Sequence, residues 1–340
     1  MKAINDQFKV GTYETCTINA HQTAVYSLSI QDEGLISCSW DPSIAIWDPK
    51  NGTLKHREVL PQRDITCMAL KDNKIFVGSN ERTIKILDFK TGELLQSLEG
   101  HVASVTRVKE SDEKLISRSG DGQIKIWDIA SVELDHTLED GNGHSITCFE
   151  VKEGKLISGS SMGTIKIWDM ASGKVLYTGE GKHGNMINCI KAHDGKVISA
   201  AYDNTIKIWD LESGKLLHSL DKHRASIVSL LVNEGNLISG SYDCTIRIWD
   251  LESGDELHRL IGHQQGVTCL KIKDGMLISG SEDKTISIWD LANGHLLRNL
   301  KVFENSISCL EVKDEMLVAG LRGGIVKIFD FTPPSESPKR

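Results

Sequence analysis

A repeated dipeptide divides this chain into eight segments of nearly equal length. Each segment ends on an aromatic residue or a leucine followed by Asp, and successive pairs lie 40 or 41 residues apart. The eight pairs are Trp47-Asp48, Leu87-Asp88, Trp127-Asp128, Trp168-Asp169, Trp209-Asp210, Trp249-Asp250, Trp289-Asp290 and Phe329-Asp330. A fixed period of this size indicates an array of like supersecondary units that bury one another.

Each unit is predicted to contain four short strands. In the sixth unit these are LLHSL (216–220), SIVSLLV (226–232), NLISGS (236–241) and TIRIWD (245–250). Strands two to four are apolar on both faces, so both faces of each small sheet need cover from a neighbouring sheet. The sequence therefore predicts an all-β fold, an eight-bladed β-propeller of four-stranded antiparallel blades.

The ends of the repeat array predict how the propeller closes. The outer-strand element appears first at residues 14–20 and last at 295–300, and only ten residues follow Phe329-Asp330. We expect the N-terminal strand to pair into the last blade, because this removes the open sheet edges. Seven blades plus a degenerate spare repeat is the alternative. The predicted boundaries are a tail at 1–13, the propeller at 14–331 and a disordered tail at 332–340.

Composition narrows the class of partner and the compartment. The chain has 340 residues, a formal net charge of −8 and a pI near 5.9, which argues against a general binder of nucleic-acid phosphates. The N-terminus carries Lys2, Asp6 and Lys9 without an apolar core, and no stretch reaches the roughly 18 apolar residues of a membrane span. We expect no membrane partner and a cytoplasmic location. The nucleus is an alternative location if the protein is eukaryotic.

The cysteines are predicted to be small buried residues in a reducing compartment. Five of the eight occupy one repeated position inside apolar runs, and none forms a CxxC pair. These five are Cys67, Cys148, Cys189, Cys269 and Cys309. We expect no disulfide framework, no metal site and no cofactor.

Five repeats carry the pattern His-x15-Ser-x3-Asp-x5-Trp without a slip in register. The five sets are His21/Ser37/Asp41/Trp47, His101/Ser117/Asp121/Trp127, His183/Ser199/Asp203/Trp209, His223/Ser239/Asp243/Trp249 and His263/Ser279/Asp283/Trp289. On these residues the chain resembles the WD-repeat β-propeller family over about 14–330. In style it is closest to the propellers of F-box/WD-repeat proteins, although the 13 residues before the first strand are too few for an F-box. The resemblance implies that each set, which we call a tetrad, is a structural hydrogen-bond network.

Three repeats depart from this pattern and are expected to be locally weaker. The second has Leu87 for Trp, Val77 for Ser, and Gln62 or Arg63 near the His position. The fourth has Asn142 at the His position, His144 two residues later and Met162 for Asp. The eighth has Ala319, Gly323 and Phe329, and we expect it to depend on the N-terminal strand.

Catalytic and metal sites are not predicted. A nucleophile must be unique and exposed, whereas here five equivalent sets each end on a Trp that competes for the Ser hydroxyl. Of the remaining histidines, His136, His218 and His258 recur on outer strands, where we expect them to be solvated. The sequence thus predicts a protein without enzymatic activity and without a small-molecule substrate.

Binding is predicted on the face where the propeller channel opens, because the resemblance implies that partners dock there. The candidates lie in the turn before each tetrad Asp or near the start of each innermost strand. They are Tyr26, Trp40, Asp64, Met186, Tyr202, Tyr242, Glu282 and Arg322. The alternative is that Trp40 packs flat on its own blade and the tyrosines only cover turn backbone. Arg118 stands where other repeats have small residues, and a local ion pair is favoured there over a ligand site.

Three functions remain in consideration. The first is a non-enzymatic scaffold or adaptor, a monomeric propeller that binds protein or peptide partners and takes part in a larger complex. A narrower form is substrate recognition in a ubiquitin-ligase-like complex, although the short supply of arginine disfavours phosphopeptide capture. The alternative from another class is association with nucleic acid or chromatin, which the scattered basic residues disfavour.

Overall fold

The structure is a computed structural model that describes residues 13–31, 34–59, 65–141, 144–179, 181–301 and 304–332. These residues contain 32 strands and no helix, in eight four-stranded antiparallel sheets. No helix within them is long and apolar enough to cross a membrane. The predicted tails lie almost entirely outside the described residues.

The strands follow one another as the repeat predicts, and a blade is numbered here by its first strand. A single strand, β1 (Glu14–Asn19), comes first. Blade 1 contains β2 (Val25–Gln31), β3 (Gly34–Ser39), β4 (Ser43–Trp47) and β5 (Leu54–Val59); blade 2 contains β6 (Ile65–Lys71), β7 (Lys74–Ser79), β8 (Ile84–Asp88) and β9 (Leu94–Leu98). Blade 3 contains β10 (Val105–Ser111), β11 (Lys114–Ser119), β12 (Ile124–Asp128) and β13 (Leu134–Leu138); blade 4 contains β14 (Ile146–Lys152), β15 (Lys155–Ser160), β16 (Ile165–Asp169) and β17 (Val175–Thr178).

The second half of the chain repeats the arrangement. Blade 5 contains β18 (Ile187–His193), β19 (Lys196–Ala201), β20 (Ile206–Asp210) and β21 (Leu216–Leu220); blade 6 contains β22 (Ile227–Asn233), β23 (Asn236–Ser241), β24 (Thr245–Asp250) and β25 (Glu256–Ile261). Blade 7 contains β26 (Val267–Lys273), β27 (Met276–Ser281), β28 (Thr285–Asp290) and β29 (Leu296–Lys301). Blade 8 contains β30 (Ile307–Lys313), β31 (Met316–Leu321) and β32 (Ile325–Asp330), with β1 as its fourth strand.

The fold class is the eight-bladed β-propeller, as the sequence predicts, and the seven-blade alternative is wrong for the described residues. The chain divides into two compact units. The first unit comprises residues 1–59 and 262–340, with blades 7, 8 and 1, and the second comprises residues 60–261, with blades 2 to 6. In the first unit β30 packs between β26 and β2, and in the second β6 packs on β10 and β18 packs between β14 and β22.

The tight turns between first and second strands explain the recurring acidic-Gly pairs of the sequence. Both residues have positive φ in the pairs Glu153-Gly154, Asp194-Gly195, Glu234-Gly235 and Asp274-Gly275, for example 45° at Asp194 and 69° at Gly195. Two consecutive residues of positive φ are typical of the type I′ turn, whose twist matches that of the flanking strands. Asp and Gly accept this conformation at low cost, so they set the register of each hairpin.

The N-terminal strand completes the last blade, as predicted. Strand β1 pairs antiparallel with β32 along its whole length, from Glu14 opposite Asp330 to Asn19 opposite Ile325. Ile18 is buried in one cluster with Val326 and Ile328. Just before β1, the Tyr13 ring lies 5.6 Å from that of Phe329. Blade 8 thus depends on residues from both ends of the repeat array.

The hydrophobic cores lie between blades rather than within them. One cluster joins Ile206 and Ile208 of blade 5 to Ile227, Leu230 and Trp249 of blade 6. Each fully buried Ile or Leu contributes roughly 1.5–3 kcal/mol relative to an exposed one. The repeats therefore do bury one another within each unit.

Candidate functional site

The five His/Ser/Asp/Trp sets each form a connected hydrogen-bond network. A buried Ser hydroxyl lies at its centre, between a His ring nitrogen and the indole N–H of the Trp. The His Nε2–Ser Oγ distances are 2.8 Å for His21 and Ser37, 2.8 Å for His101 and Ser117, 2.8 Å for His183 and Ser199, 2.7 Å for His223 and Ser239, and 2.7 Å for His263 and Ser279. The Trp Nε1–Ser Oγ distances to the same serines are 2.8 Å for Trp47, 2.8 Å for Trp127, 2.9 Å for Trp209, 2.9 Å for Trp249 and 2.9 Å for Trp289.

The Asp of each set joins the His to the turn. In the last set, His263 Nδ1 lies 2.9 Å from Asp283 Oδ2, which also accepts the Gln264 N–H at 2.8 Å. The other carboxylate oxygen accepts the Thr285 N–H at 2.9 Å. An ionised carboxylate only accepts, so the His proton lies on Nδ1, and Nε2 accepts from Ser279. The carboxylates that contact a His Nδ1 in this way are Asp41, Asp121, Asp203, Asp243 and Asp283.

Burial and hydrogen bonding shift the titration of these groups in opposite senses. Burial lowers the pKa of His21, His101, His183 and His263, and it outweighs the neighbouring Asp, which raises it. Burial raises the pKa of Asp283, but hydrogen bonds from Thr285, Gln264 and His263 outweigh this and hold the pKa below its ordinary value. The networks of these four histidines therefore contain neutral imidazoles and ionised carboxylates at neutral pH.

This geometry leaves no Ser in these sets free to act as a nucleophile or to contact a partner. Ser279, for example, accepts from the Trp289 indole and donates to His263. A nucleophile needs an exposed hydroxyl beside a site for the reacting carbonyl. The hydrogen bonds of each set connect strands to turns, so their role is structural. All five serines have no solvent-exposed surface: Ser37, Ser117, Ser199, Ser239 and Ser279.

The degenerate repeats lose different parts of the network. In the second repeat Val77 and Leu87 are buried, so apolar packing replaces the Ser–Trp hydrogen bond. The fourth keeps that bond, at 2.8 Å between Trp168 Nε1 and Ser158 Oγ, while Met162 is exposed at the Asp position. In the eighth, Ala319 and Phe329 are buried. The predicted positions Gln62, Arg63 and Asn142 lie outside the described residues.

The prediction that the outer-strand histidines are solvated is wrong for two of them. His136 and His218 are half-buried instead of solvated, because each Nε2 reaches a carbonyl in a turn of the next blade. The His136 Nε2–Ala171 O distance is 2.9 Å, and the His218 Nε2–Glu252 O distance is 2.8 Å. A Cβ at Gly254 would lie 3.0 Å from the His218 ring, so that glycine makes room for it. His258 is half-buried too.

Side chains on the first strands make hydrogen bonds between blades that the sequence analysis did not predict. The Thr268 hydroxyl lies 3.1 Å from Gly280 O in its own blade and 2.8 Å from Ile307 O in the next. Ser308 reaches Gly320 O at 2.9 Å and also Val25 O in the next blade. The sequence could not predict these hydrogen bonds, because it does not show which first-strand side chains face a neighbouring blade.

The repeated cysteines lie beside these hydrogen bonds. Cys309 Sγ approaches Val25 O at 3.6 Å, and Cys148 Sγ approaches Ile187 O at 3.6 Å. Burial raises the pKa of the Cys67 thiol to about 11 and that of Cys269 to about 11. All eight cysteines are free thiols, and the repeated ones are packed and unreactive at neutral pH.

In the second unit, Met162 of blade 4 and the candidates Met186, Tyr202 and Tyr242 of blades 5 and 6 define a surface that we call the tyrosine patch. Met186 is half-buried, and the other three side chains are exposed. Tyr202 and Tyr242 are each 42% exposed, and Met162 of blade 4 is 49% exposed. The Tyr202 N–H donates to Met186 O at 3.0 Å, which holds the turn against the start of its first strand. Met162 was not among the predicted binding residues, although its place in the turn of a degenerate repeat could have indicated it.

In the first unit, the candidates form a second surface that we call the tryptophan patch, defined by Trp40, Glu282 and Arg322. Trp40 is 57% exposed, and Arg322 Nη2 lies 2.7 Å from Glu282 Oε1. The two charges thus pair across the turns of blades 7 and 8. Tyr26 is half-buried, and Asp64 lies outside the described residues.

Arg118 does not form the ion pair that the sequence favoured. Its guanidinium group donates to Thr147 O and, at 2.6 Å, to Thr106 Oγ1. Among the described residues it has no ion pair with a carboxylate. The reason is local, because the strands around it place hydroxyl and carbonyl oxygens at the guanidinium.

Known proteins share this chain's fold over nearly its whole length. The crystal structure of the computationally designed Ika8 protein is 32% identical, with a TM-score of 0.86, and the alignment covers 92% of this chain and 98% of that one. The WD40 β-propeller domain of Doa1 is 22% identical with a TM-score of 0.66, covering 96% and 99%. At that identity the second likeness concerns the fold alone.

Curated relatives match only in short segments. "WD repeat-containing protein pop1" of Schizosaccharomyces pombe is 26% identical over 95 residues, which are 28% of this chain and 12% of that protein. "Myosin heavy chain kinase C" of Dictyostelium discoideum is 32% identical over 77 residues, which are 23% of this chain and 10% of that protein. The matches span about a tenth of each relative's length.

Two family models match the chain, and one covers more than half of it. The model described as "WD domain, G-beta repeat" matches residues 13–48 and 254–290. The β-propeller model described as "Nucleolar protein 10-like, N-terminal domain" matches residues 41–241. This chain is therefore a WD-repeat β-propeller and belongs to the nucleolar protein 10-like N-terminal domain family.

Proposed function

We propose that this chain is a non-enzymatic scaffold or adaptor that binds protein or peptide partners on its turn face. The turn face is the end of each unit formed by the turns between second and third strands. Membership of the WD-repeat family supports an interaction scaffold in general. The observation that carries the finer proposal is the tyrosine patch, where three consecutive blades each present an exposed Tyr or Met.

The residue types of the patch suit a protein partner. Tyr combines a large apolar ring with a hydroxyl and loses little conformational freedom when a partner covers it. Met adapts its shape to irregular surfaces. Aromatic residues at the centre of an interface commonly contribute about 2 kcal/mol or more to binding, by the order of magnitude of alanine scans.

The tryptophan patch is a second proposed contact surface, in the first unit. Trp40 offers the largest exposed aromatic side chain, and the Glu282–Arg322 pair lies on the same turn face of that unit. An exposed ion pair contributes little to stability by itself. It can instead orient a partner through its charges.

The absence of catalysis in this proposal rests on the tetrads. Their serines are buried, and each Ser hydroxyl makes hydrogen bonds to a His and a Trp nitrogen. The residues that most resemble a catalytic triad therefore have a structural role. Substrate recognition in a ubiquitin-ligase-like complex is a narrower version of the same scaffold role. It would be supported by co-purification of ligase subunits with the wild-type chain.

Location and nucleic-acid binding are separate questions. We propose a cytoplasmic protein, with the nucleus as the alternative, and the word "nucleolar" in the family description favours testing that alternative directly. Fluorescence of the tagged chain in its native cell distinguishes the two. Retention on heparin that falls steeply with salt would favour nucleic acid over protein partners.

The turn-face proposal is tested by affinity purification from the native cell with paired variants. Tyr202→Ala with Tyr242→Ala should reduce recovery of specific partners about ten-fold or more. The matched control is Leu216→Ala with Leu217→Ala, which removes exposed apolar side chains from outer strand β21 and should retain every partner. If the tyrosine variant folds with an unchanged urea midpoint and keeps all partners, the patch is not the docking surface.

A further inference from the structure

Blade 3 carries two arginines at positions where the other repeats have small residues. The position of Arg118 on β11 is occupied elsewhere by Cys38, Gly78, Gly159, Ala200, Gly240, Gly280 and Gly320. The position of Arg107 on β10 is occupied elsewhere by Ser27, Cys67, Cys148, Cys189, Ser229, Cys269 and Cys309. Both substitutions fall in one repeat and face one seam, between blades 3 and 4.

At four other seams the equivalent glycine has no room for a side chain. A Cβ at Gly78 would lie 2.4 Å from Cys67 Sγ and 2.8 Å from Val105 Cγ1 of the next blade. A Cβ at Gly280 would lie 2.6 Å from Ile307 Cγ2. Gly159 and Gly320 are similarly enclosed, at 2.8 Å and 2.6 Å from their nearest atoms. The seam that accommodates two guanidinium groups must therefore have a wider spacing between its strands than these four seams.

At the seam between blades 3 and 4, the first strands of the two blades lie farther apart than at the neighbouring seams in the second unit. Strands β6 and β10 lie side by side, as do β14 and β18, whereas β10 and β14 approach each other much less. Arg107 and Arg118 are direct partners across the β10–β11 pair. Arg107 Cζ lies 5.2 Å from the centre of the Phe149 ring, on the blade 4 side of the seam. Both arginines are half-buried, so solvent reaches them.

The charges in this seam are not balanced by the described residues. Lys109 pairs with Glu150, and Lys191 lies 3.8 Å from the same carboxylate. That leaves Arg107 and Arg118 without an ion pair, although like charges directly opposite each other on paired strands are destabilising. Arg107 donates no hydrogen bond to a described residue.

Arg118 has one donor unused. Two of its nitrogens donate to Thr147 O and Thr106 Oγ1, but Nε is buried and has no partner among the described residues. Burial, and then the charge of Arg107, holds the pKa of the Arg118 guanidinium below its ordinary value. An unpaired buried donor costs about 1–3 kcal/mol, more when it belongs to a charged group.

We propose that the seam between blades 3 and 4 is a phosphate-binding site, with Arg107 and Arg118 as its ligands and Lys109 at its edge. A phosphate dianion matches the charge of two guanidinium groups, and its oxygens suit their forked donors. The bound group would relieve the repulsion between the two arginines and accept hydrogen bonds from Arg107, which donates none to a described residue. This site lies within one unit and does not depend on the turn-face patches.

The test is calorimetric titration of the full chain with inorganic phosphate at constant ionic strength. We expect saturable binding at one site per chain, with no heat beyond dilution for chloride. Arg107→Ser and Arg118→Gly each introduce a residue that other repeats carry, and each should weaken binding about ten-fold or more. The matched control is Arg224→Gln, which removes an exposed cation elsewhere in the second unit and should leave the affinity unchanged.

Two further measurements identify the source of the phosphate and provide for a variant that does not fold. Displacement of inorganic phosphate by acetyl-glycyl-phosphoseryl-glycine amide at lower concentration, but not by its unphosphorylated form, would support a phosphoprotein ligand. Displacement only at equal or higher concentration would support a free phosphate. Arg107→Gln replaces either variant that does not fold, judged by its urea midpoint. The proposal is overturned if no phosphate binds, or if the seam variants bind as the wild type does.

Discussion

At the residue scale, each tetrad buries polar side chains between apolar blades and gives every one of their donors a hydrogen-bond partner. The Ser hydroxyl is the central member, because it alone contacts both the indole and the imidazole. An unpaired buried polar group costs more than the hydrogen bond it would have made. Removal of one member of a complete network should therefore cost more than the hydrogen bonds that this member made.

Ser279→Ala should lower the free energy of unfolding by about 2–4 kcal/mol, because it leaves both His263 Nε2 and Trp289 Nε1 without a partner. Ser158→Ala is the matched control, because the described residues give Ser158 only the Trp168 indole. Its loss should be about half as large. Urea unfolding followed by Trp fluorescence measures both, and equal losses would contradict the network.

The same networks predict a loss of stability in mild acid. Burial places the pKa of His21, His101, His183 and His263 below the ordinary value of 6.5, so the unfolded chain binds more protons below that pH. Their contribution is present above pH 6.5 and is lost as the pH falls. The tetrad aspartates, with pKa values below 3.8, add a second loss in stronger acid.

Urea unfolding at a series of pH values from about 7.5 to about 5 measures the first of these losses. The midpoint should fall steadily across that range. A midpoint that stays constant or rises as the pH falls would show that the imidazoles are charged in the folded state.

At the element scale, β1 has the unusual task of completing a sheet whose other strands lie about 300 residues away. Its alternation follows the pleat, with Ile18 buried and Thr17 exposed. The sequence could predict this pairing because the repeat array begins with a fourth strand and ends without one. It could not predict the contacts of Tyr13, whose ring lies 4.6 Å from Arg298 Cζ of blade 7.

Ile18→Ala should destabilise the chain by about 2–4 kcal/mol, because it removes buried methyl groups from the cluster with Val326 and Ile328. Thr17→Ala on the exposed face of the same strand should cost less than about 0.5 kcal/mol. Chemical denaturation compares the two. Equal effects would mean that β1 does not pair with β32 in solution.

At the scale of the whole molecule, the sequence predicts what recurs and misses what connects one repeat to the next. The period predicts the strands, the blade count and the tetrads, because each depends on spacing within one repeat. The hydrogen bonds that His136 and Thr268 make depend on side chains that reach the following blade. Arg118 is visible in the sequence as an anomaly, but its partners are not, because they come from another blade.

The central functional claim is that partners contact the turn face, and cross-linking mass spectrometry of complexes purified from the native cell tests it most directly. In the second unit, exposed lysines lie at both ends of the blades, with Lys182 and Lys222 near the turn face and Lys174 and Lys215 at the opposite end. We expect partner cross-links at Lys182 and Lys222. Cross-links confined to Lys174 and Lys215 would contradict it.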